Sequence, residues 1–585
     1  MLNDVKKYSE IIDFNYNKKR LLKKNNQEIL KAKIYGNISC FQLKEYIAYF
    51  MLQKNVNIEI ELSDYDNLLS DHSISKDCKF SIVFWELSNL FNGAQYKIEM
   101  LNGNQINNLI DETIKKINLF INNITKNSLL IFNKFSTMHF NINYFEKTKY
   151  QLINDKLNSF LETKKNNNFI LMDINQIISE IGTDNAVSYR DFYLSKSIYN
   201  LQFYKRYSYI IANLILSKTG RYKKVLVLDC DNTLWKGIAV EDGIDKLEMD
   251  EITYPGCIFF EVQHLINKLY KKGILICLCS KNNLEDIKKI FKLKTYLKLN
   301  QFADIRINWD DKPKNLKKIS EKLNLGLDSF VFIDDSDFEI NYIKKTFPEV
   351  TTFKVPIDNL YDYPKMIREI SNLFYTNLLT EEDKKKNLYY FQEEKREKTK
   401  SKFISLEDYI NTLKLSLIVE KNNIKHLARV TQLTQKTNQF NSSLKRFSEN
   451  EIEKFIMDDK FDVYTLRVSD KFGESGLTAI CILKKDIKKK ICVLNTFLMS
   501  CRIFGRKIEF IFLNYIENKL RKLKIKKILI NFKIGPRNSN VESFLIEYGF
   551  IKKKNNNTIA SFEKNIGKLK SNKIENLDIK IKKSD

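Results

Sequence analysis

The stretch VLVLDCDNTLWKG, residues 225–237, ends an apolar run in two carboxylates, Asp229 and Asp231. Three further apolar runs also end in polar residues, which carry a hydroxyl, two ammonium groups, an amide and two more carboxylates. These residues are Ser280, Lys281, Asn282, Lys312, Asp334 and Asp335. Carboxylates make a hard-oxygen site for Mg²⁺, lysine and serine bind phosphoryl oxygens, and a carboxylate can attack phosphorus. The residue types therefore predict phosphoryl-transfer chemistry with Mg²⁺, provided that the strand ends are neighbours.

A parallel α/β sheet would bring these side chains together. The runs KVLVLD, ILICLCS, ADIRINW and SFVFIDD alternate with helical patterns over residues 219–370, as expected for buried parallel strands. Ligands of such sheets bind beyond the carboxyl ends of the strands. Side chains alternate along a strand, so Cys230, between the two aspartates, is expected to point into the core. For any single motif, the alternative is a strand-end carboxylate that caps a helix.

The four motifs, in this order, resemble those of the haloacid dehalogenase (HAD) phosphotransferase superfamily, whose DxDxT motif matches residues 229–233. The resemblance implies that Asp229 is the nucleophile and Asp231 the general acid and base. The phosphate-binding set comprises Thr233, which also shapes the turn, Ser280, Lys281, Asn282 and Lys312. The implied Mg²⁺ site comprises Asp229, the Asp231 carbonyl, Asp334 and Asp335. The short spacing between the first two motifs leaves little room for a large cap domain and favours an open site.

Segments around these motifs resemble the FkbH-like proteins, HAD subfamily IIIC, and the likeness extends over residues 180–555. The matching segments include DNTLWKGIAVEDG, CSKNN, LARVTQLTQKTNQFN and MSCRIFGRKIE. Lys236 and the pair Ser336-Asp337 depart from that family's usual Gly and Asn-Pro. The resemblance implies dephosphorylation of 1,3-bisphosphoglycerate or a related phosphoacyl donor, with loading of the glyceryl group on an acyl carrier protein thiol for polyketide-type biosynthesis. The alternatives are a non-catalytic carrier-binding scaffold and a phosphatase or acyltransferase of cell-surface sugar biosynthesis.

Residues 416–555 follow an α+β pattern and resemble a GNAT acyltransferase domain. The stretch RIFGRK resembles the pyrophosphate-binding loop of that family, at a helix N-terminus. It implies that Arg502, Gly505 and Arg506 bind a phosphopantetheine arm. Asn438 and Asn441 are expected either in the same cleft or as helix and turn caps.

Cys501 stands directly before this loop. A helix N-terminus and a neighbouring arginine lower the pKa of a cysteine thiol and favour the thiolate. We hypothesise that Cys501 accepts the glyceryl group before the carrier thiol does; the alternative is a buried packing cysteine.

Residues 1–218 alternate strand and helix patterns and resemble the SGNH-hydrolase-like α/β domain that FkbH-like proteins often carry. The turn at residues 36–39, Gly-Asn-Ile-Ser, resembles the nucleophile turn of that fold. The fold's DxxH motif would fall at residues 191–194, where no histidine stands. We therefore predict a non-hydrolytic domain for support or carrier docking, with Ser39 as a helix cap.

Composition restricts the remaining possibilities. Nine scattered cysteines without a CxxC pair argue for reduced thiols and against a disulfide framework or a zinc site. The formal charge of +26 is the excess of 84 lysines and 14 arginines, spread over the chain, over 72 aspartates and glutamates, and no nucleic-acid-binding motif accompanies them. No signal peptide and no apolar stretch long enough for a transmembrane helix is found.

The sequence thus predicts a cytoplasmic α/β multidomain enzyme with Mg²⁺ as cofactor. Its HAD Rossmann-like parallel core, residues 219–370, is flanked by the SGNH-like α/β domain and the GNAT-like α+β domain. Residues 371–415 are expected to form a helical connector, and the Lys/Asn-rich tail, 556–585, to be frayed. The expected partners are an acyl carrier protein, whose acidic surface the positive chain would suit, and a phosphorylated acyl donor, without nucleic acid or membrane.

Overall fold

The computed structural model forms two compact units, Met1–Leu216 and Ser217–Asp585. It describes the chain except residues 1–6, 25–28, 64–77, 92, 125–127, 141–144, 165–167, 220, 375–391, 393–394, 397–398, 401–402, 404, 438, 501–502, 536–537, 556–557, 567–579 and 584–585. Three β-sheets lie within the described residues. The predicted domain boundaries inside the second unit stay predictions.

The first unit is built on a five-stranded sheet in the order β2-β1-β3-β4-β5, with all neighbours parallel. Its strands are β1 (Leu30–Gly36), β2 (Ile58–Leu62), β3 (Phe80–Phe84), β4 (Leu129–Asn133) and β5 (Phe169–Met172). Its helices are α1 (Tyr8–Lys24), α2 (Phe41–Gln53), α3 (Leu87–Leu90), α4 (Ala94–Lys97), α5 (Gly103–Ile124), α6 (Lys149–Thr163), α7 (Ile174–Ile181), α8 (Thr183–Ala186), α9 (Tyr189–Ser195) and α10 (Leu201–Lys218). Strands and helices alternate as the sequence predicts, and an apolar cluster covers each face of the sheet.

A buried polar network closes the carboxyl edge of this first sheet. The Glu86 carboxylate, after β3, accepts from the Tyr199 hydroxyl at 2.6 Å and lies 3.1 Å from His139 Nε2. The turn after β1 is tied to the same place, since Asn37 Oδ1 accepts from the Glu86 N–H at 2.6 Å. Ser39 does not cap α2: the N-cap residue is Cys40, and the Ser39 carbonyl accepts from the Tyr204 hydroxyl. The prediction of a Ser39 cap was therefore wrong.

The second sheet is also parallel and has the order β10-β9-β6-β7-β8. Its strands are β6 (Val225–Leu228), β7 (Leu275–Ser280), β8 (Phe302–Ile307), β9 (Phe330–Asp334) and β10 (Thr351–Lys354). Its helices are α11 (Ala239–Asp242), α12 (Gly256–Lys271), α13 (Leu284–Leu293), α14 (Lys312–Leu323), α15 (Asp337–Thr346) and α16 (Tyr363–Ser371). Strands β6, β7 and β9 are buried along their whole length, because helices cover both faces of a parallel sheet.

The third sheet is mixed, with the order β16-β17-β15-β14-β13-β12-β11-β18. Its strands are β11 (Ser416–Lys421), β12 (Phe461–Asp470), β13 (Gly473–Asp486), β14 (Ile491–Met499), β15 (Lys527–Lys533), β16 (Ile551–Asn555), β17 (Ile559–Asn565) and β18 (Lys580–Lys583). The helices of this part are α17 (Leu406–Thr412), α18 (Leu427–Lys436), α19 (Glu449–Met457), α20 (Ile508–Lys522) and α21 (Ser539–Glu547). Along the chain, a strand is followed by two helices, three antiparallel strands and then helices that alternate with strands, so this part has the α+β order that the sequence predicts.

The prediction of a frayed C-terminal tail needs correction, and the prediction of a helical connector falls largely on residues that the structure does not describe. Strand β17 pairs with β15 over seven residues, from Lys527↔Asn565 to Lys533↔Ile559, so the sheet continues beyond residue 555 and the tail is not frayed there. Alternating burial along β17, with Ala560 and Phe562 in the core, is the physical reason. Much of the predicted connector helix, including residues 375–391, lies outside the described residues.

None of the helices in the described part of the chain combines the length and the apolar character needed to cross a bilayer.

Candidate functional site

The candidate catalytic edge of the second sheet, at the carboxyl ends of its strands, includes the ends of the central strand, β6, and of the strand beside it, β9. Leu228 is in register with Ile333, and the Asp229 N–H donates to the Ile333 carbonyl at 3.0 Å. Asp229 and Asp334 therefore follow two adjacent strands at the same level. Both side chains are buried, at 7% and 0% exposure. A pair of carboxylates in such a place needs a positive charge between them.

Lys312 supplies that charge. Its Nζ donates to Asp229 Oδ1 and to Asp334 Oδ2, each at 2.6 Å, and the lysine is itself buried. Lys312 is the first residue of α14, which begins after β8 with proline in its first turn, so the helix start aims the side chain across the sheet edge. Burial lowers the pKa of Lys312, but the two carboxylates raise it by more than burial lowers it, so the pKa lies above its ordinary value.

Three carboxylates form a set that fits a divalent cation. One oxygen each of Asp229, Asp334 and Asp335 lie within 4.8 Å of one another, and at least two of the three residues are buried. Hard oxygen donors at the mouth of a parallel sheet suit Mg²⁺, which keeps part of its water shell and binds to few protein carboxylates. The side-chain chemistry thus agrees with the predicted ligands Asp229, Asp334 and Asp335, and the carbonyl of Asp231 stays a predicted fourth ligand.

Asp231 lies in a different environment from Asp229. Its Oδ1 accepts from Trp235 Nε1 at 2.9 Å and from the Ala239 N–H at 3.1 Å, and its Oδ2 accepts from Asn282 Nδ2 at 2.8 Å. A left-handed residue, Asn232 at φ 49°, turns the chain away from the strand so that Trp235 can fold back. The carboxylate is thereby held in one orientation near Asp229, as a proton-transfer group would need to be.

Burial controls the protonation of this site. Desolvation raises the pKa of Asp231 above its ordinary value, against the lowering effect of its three hydrogen bonds. Desolvation first, and then the negative charge of Asp229, raises the pKa of Asp334 to about 7 and that of Asp335 in the same direction. Burial thus shifts all three carboxyl groups toward the protonated form, and a raised pKa is what a general acid requires.

The remaining predicted phosphate-binding residues divide into two groups. Ser280, at the end of β7, and Asn282 are buried beside Asp231, and Asn282 Nδ2 also lies 3.3 Å from Ser280 Oγ. Thr233 is fully buried, and its Oγ1 has no hydrogen-bond partner in the described structure. Lys281, by contrast, pairs with Glu339 of α15 at 2.8 Å. The geometry thus assembles Ser280, Asn282 and Lys312, whereas Lys281 is engaged in an ion pair.

The mouth of this site is open and partly apolar. The segment between β6 and α12 contains only the four-residue α11 and one short 3₁₀ turn, so no cap domain is inserted there. Large apolar side chains are exposed in the connections that follow three strands of this sheet: Val240 (58%), Trp309 (69%) and Phe338 (68%). Such an edge admits a bulky substrate or one that is carried by another protein.

Cys230 faces the apolar core, as the strand alternation predicts, although its thiol also hydrogen-bonds with Ser280. It packs with Leu226 and Leu228 in the core on one face of the sheet, and burial raises the pKa of its thiol well above the ordinary value. It is therefore a packing residue.

The candidate acyl-transfer residues of the third sheet are only partly described. Cys501, Arg502 and Asn438 lie outside the described residues, and their predicted roles stay predictions. Gly505 has φ +73°, a conformation that favours glycine, in the turn before α20. Arg506 is buried at 2% exposure and donates to Asp470 Oδ2 at 3.2 Å. A phosphate would therefore compete with Asp470 for this guanidinium.

Asn441 is fully buried and acts within a turn. Its Oδ1 accepts from the N–H groups of Ser443 and Leu444, and its Nδ2 donates to the Thr437 carbonyl. This geometry favours the turn cap over the cleft residue, the two alternatives that the sequence left open.

Sequence reasoning missed three residues that shape these sites. Trp235 and Asn232 fix the orientation of the Asp231 side chain. The motif DNTLWKG indicates this contact, since a residue four positions after the aspartate can fold back over a tight turn. Asp470, which binds both Arg396 and Arg506, gave no local signal because its partners are 74 and 36 residues away.

Replacing Asn282 with alanine tests the hydrogen bond to Asp231. Loss of this donor, which stabilises the ionised form, raises the pKa of Asp231 and loosens its orientation. We expect kcat for phosphate release to fall about 10- to 100-fold, with the alkaline limb of the kcat–pH profile shifted to higher pH. The matched control is Asn283→Ala, which removes the N-cap of α13 and should cost about 1 kcal/mol of stability while leaving the pH profile in place. An unchanged profile in Asn282→Ala would contradict the role given to this contact.

The raised pKa of Asp334 predicts a pH-dependent affinity for Mg²⁺. In the metal-free protein Asp334 keeps its proton up to about pH 7, and a cation must displace it. We expect the apparent Kd for Mg²⁺ to rise about tenfold per pH unit below 7, as measured by calorimetric titration. The stability of the metal-free fold changes in the opposite sense to the affinity for Mg²⁺. The folded state holds a proton that the unfolded chain loses near pH 3.8, so the metal-free fold loses stability as pH rises from there to about 7. A Kd that stays constant between mildly acidic and neutral pH would be inconsistent with this assignment.

Of the three comparisons with known proteins, the one with solved structures found matches. No family model and no curated protein matches the chain. Among solved structures, the chain is similar to the N-terminal part of the protein BF1531 from Bacteroides fragilis, which contains a phosphatase domain complexed with Mg. The identity is 25%, the TM-score 0.55, and the match covers 62% of this chain and 99% of that chain.

Two acetyltransferases are also similar, with TM-scores of only 0.21 and 0.22. They are the spermidine N-acetyltransferase of Vibrio cholerae (14% identity, 26% of this chain, 94% of that chain) and the ribosomal-protein-S18-alanine N-acetyltransferase of Escherichia coli (10% identity, 27% of this chain, 97% of that chain). The chain is therefore a mixed α/β multidomain protein, similar over 62% of its length to a solved structure that contains a phosphatase domain, with a carboxylate set suited to Mg²⁺.

Proposed function

We propose that this chain is a Mg²⁺-dependent HAD-type phosphatase whose reaction is coupled to acyl transfer. The observation that carries the phosphatase part is the convergence of Asp229, Asp334 and Lys312 at the carboxyl ends of adjacent strands, with 2.6 Å between the ammonium and each carboxylate. The likeness to a Mg-bound phosphatase domain supports it. Mg²⁺, held by Asp229, Asp334 and Asp335, would neutralise charge on the phosphoryl oxygens.

The residues of the chain perform the reaction in two balanced steps. A carboxylate oxygen of Asp229 attacks phosphorus, the bond from phosphorus to the leaving oxygen breaks, and the proton of Asp231 passes to that oxygen. An aspartyl-phosphate remains. Asp231, now ionised, takes a proton from water as the water oxygen attacks phosphorus, which releases inorganic phosphate and the Asp229 carboxylate. Lys312 and Ser280 stabilise the charge on the phosphoryl oxygens during both steps.

The substrate that we propose is a phosphorylated acyl donor such as 1,3-bisphosphoglycerate, as the FkbH-like resemblance implies. Its acyl phosphate is activated toward attack by a thiol, whereas its phosphate ester is hydrolysed only by a phosphatase. One chain that uses both groups therefore needs two activities, acyl transfer and phosphate-ester hydrolysis. The open edge around Trp309 and Phe338 suits delivery by a carrier. The GNAT-like order of the third sheet supports acyl transfer to an acyl carrier protein, with Gly505 in the loop that would face the arm.

One incubation tests both parts. The chain is mixed with 1,3-bisphosphoglycerate and a candidate acyl carrier protein, with Mg²⁺ or with a chelator, and phosphate release and the intact mass of the carrier are measured. Mg²⁺-dependent release together with a glyceryl mass gain on the carrier supports the whole proposal. Release without a mass gain supports a phosphatase alone and contradicts acyl loading. No release from any 3-phosphoglyceryl substrate contradicts catalysis and leaves the carrier-binding scaffold.

A further inference from the structure

Two lysine-rich turns stand out from the chain's general excess of lysine. Residues 484–490, KKDIKKK, form the hairpin between β13 and β14, and residues 519–527, KLRKLKIKK, join α20 to β15. Eleven of their sixteen residues are Lys or Arg, against 98 of 585 in the whole chain. The bias of composition toward lysine therefore does not account for them.

The two turns lie side by side at one end of the third sheet. The N–H of Lys526 donates to the Lys490 carbonyl at 2.8 Å, and β14 and β15 start in parallel register, with Ile491 beside Lys527. Segments that are about thirty residues apart in sequence thus form one surface. We call residues 484–490 and 519–527 together the basic turn pair.

Most of the positive charge on this surface faces solvent without compensation. Seven lysines are exposed: Lys484, Lys488, Lys489, Lys490, Lys522, Lys524 and Lys526. Lys489 approaches Asp486 at 3.9 Å, and Lys484 lies over the ring of Phe461. The other five make no ion pair with any residue that the structure describes. In the equally basic strand β16, by contrast, Lys552 and Lys553 pair with Glu542 and Glu563.

An exposed aliphatic side chain stands in each turn. Ile487 is 61% exposed in the hairpin, and Leu523 is 42% exposed after the last residue of α20. Leu520 and Ile525 of the second turn are buried in the core, so Ile487 and Leu523 are the apolar side chains of the two turns that face solvent. A surface that combines unpaired lysines with projecting aliphatic side chains has the chemistry of contacts with an anionic bilayer.

The basic turn pair is remote from the candidate acyl-transfer loop. Gly505 precedes the N-terminus of α20, whereas the turn 519–527 contains its C-terminus, and fifteen residues of α-helix separate the two by roughly 22 Å. The surface therefore serves a purpose other than binding the phosphopantetheine phosphate at that loop.

A helix dipole, a nucleic acid and an acidic protein each account for only part of this surface. Favourable interaction with the helix dipole explains Lys519, Arg521 and Lys522 in the last turn of α20, but not the hairpin. Single-stranded nucleic acid needs aromatic side chains for stacking, and neither turn contains one. An acidic protein would match the charge but gives no reason for both aliphatic side chains.

We propose that the basic turn pair is a peripheral docking surface for an anionic lipid bilayer, which Ile487 and Leu523 enter while the surrounding lysines bind the lipid phosphates. The absence of a membrane-spanning helix among the described residues is compatible with such a contact. This surface would hold the catalytic chain at a membrane whether or not the proposed acyl transfer is correct, so the two proposals fail independently.

Sedimentation of the full chain with vesicles tests the proposal. We expect binding to phosphatidylcholine vesicles that contain about 30% phosphatidylglycerol, little binding to pure phosphatidylcholine, and weakening when salt is raised well above about 0.1 M. The charge variant is Lys488→Gln, Lys490→Asn, Lys522→Gln, Lys524→Asn and Lys526→Gln. Lys490 and Lys524 have positive φ, and asparagine tolerates this conformation well, so the variant is designed to fold.

The charge variant should bind anionic vesicles at least about 100-fold more weakly, since each lysine near such a surface contributes about 1 kcal/mol. A second variant, Ile487→Ser with Leu523→Ser, should weaken binding at high salt as well. The matched control removes five exposed lysines elsewhere: Lys271, Lys272, Lys317, Lys344 and Lys345, each to Gln. Equal loss in the control, unchanged binding in the charge variant, or binding to RNA or an acidic protein in place of vesicles would overturn the proposal.

Discussion

Asp229→Asn is expected to lower kcat for Mg²⁺-dependent phosphate release by at least about 10⁴-fold. The amide that replaces the carboxylate is a poor nucleophile toward phosphorus, and it removes one of the three oxygens of the Mg²⁺ set. No covalent intermediate should form, so an acid quench during turnover should trap phosphate on the wild-type chain and not on the variant. Phosphate release and the trapped intermediate are measured on the same samples.

The control for this variant is Asp310→Asn at the same edge of the sheet. Asp310 is half-exposed and pairs with Lys314 and Lys318, so its loss should change kcat less than about tenfold. Should Asp229→Asn retain turnover within tenfold of wild type, the nucleophile would have to be another residue and the proposed reaction would be wrong.

Lys312→Met is expected to damage both folding and catalysis. The substitution leaves the buried carboxylates of Asp229 and Asp334 without the ammonium between them, and breaking a buried ion pair in this way costs about 3–5 kcal/mol of unfolding free energy. Loss of the charge that stabilises the phosphoryl oxygens should lower kcat by about 10²–10³-fold. Urea unfolding and phosphate release measure the two effects.

Mg²⁺ should restore part of the stability of Lys312→Met, because a bound cation takes over the neutralisation of the two carboxylates. Stabilisation by Mg²⁺ should therefore be larger in the variant than in the wild type. Lys314→Met, half a turn further along α14 and exposed, is the control and should change stability by less than about 1 kcal/mol. If Lys312→Met without Mg²⁺ had the same free energy of unfolding as the wild type, the ion pair would not be what stabilises the two buried carboxylates.

The distribution of charge bears on where partners bind. Residues 416–585 contain 36 Lys and Arg against 18 Asp and Glu, whereas the catalytic edge of the second sheet is rich in carboxylates. An acidic carrier protein would thus be attracted to the third sheet more than to the phosphatase mouth. The basic turn pair accounts for eleven of those basic residues and is the part of this region for which we propose a lipid surface.

The amino-acid sequence by itself determined the strands and the central chemistry of this protein. Strands β6 to β9 are short buried runs, so their periodicity and their polar ends were visible, and parallel sheets place such ends at one edge. Asp229, Asp231, Ser280, Lys312 and Asp334 were predicted to converge for that reason. Cys230 was predicted to face the core from strand alternation alone, and it does.

Only the tertiary structure decided which partner each polar side chain takes. Lys281 and Lys312 are equivalent as sequence candidates, yet Lys281 pairs with Glu339 and Lys312 bridges Asp229 and Asp334. Arg506 is directed to Asp470, and residues 559–565 join the sheet instead of fraying. These outcomes depend on contacts between segments that are tens of residues apart, and a long side chain reaches several such partners from one backbone position. Local patterns fix where the backbone of a residue lies, whereas the fold fixes which charge its side chain meets.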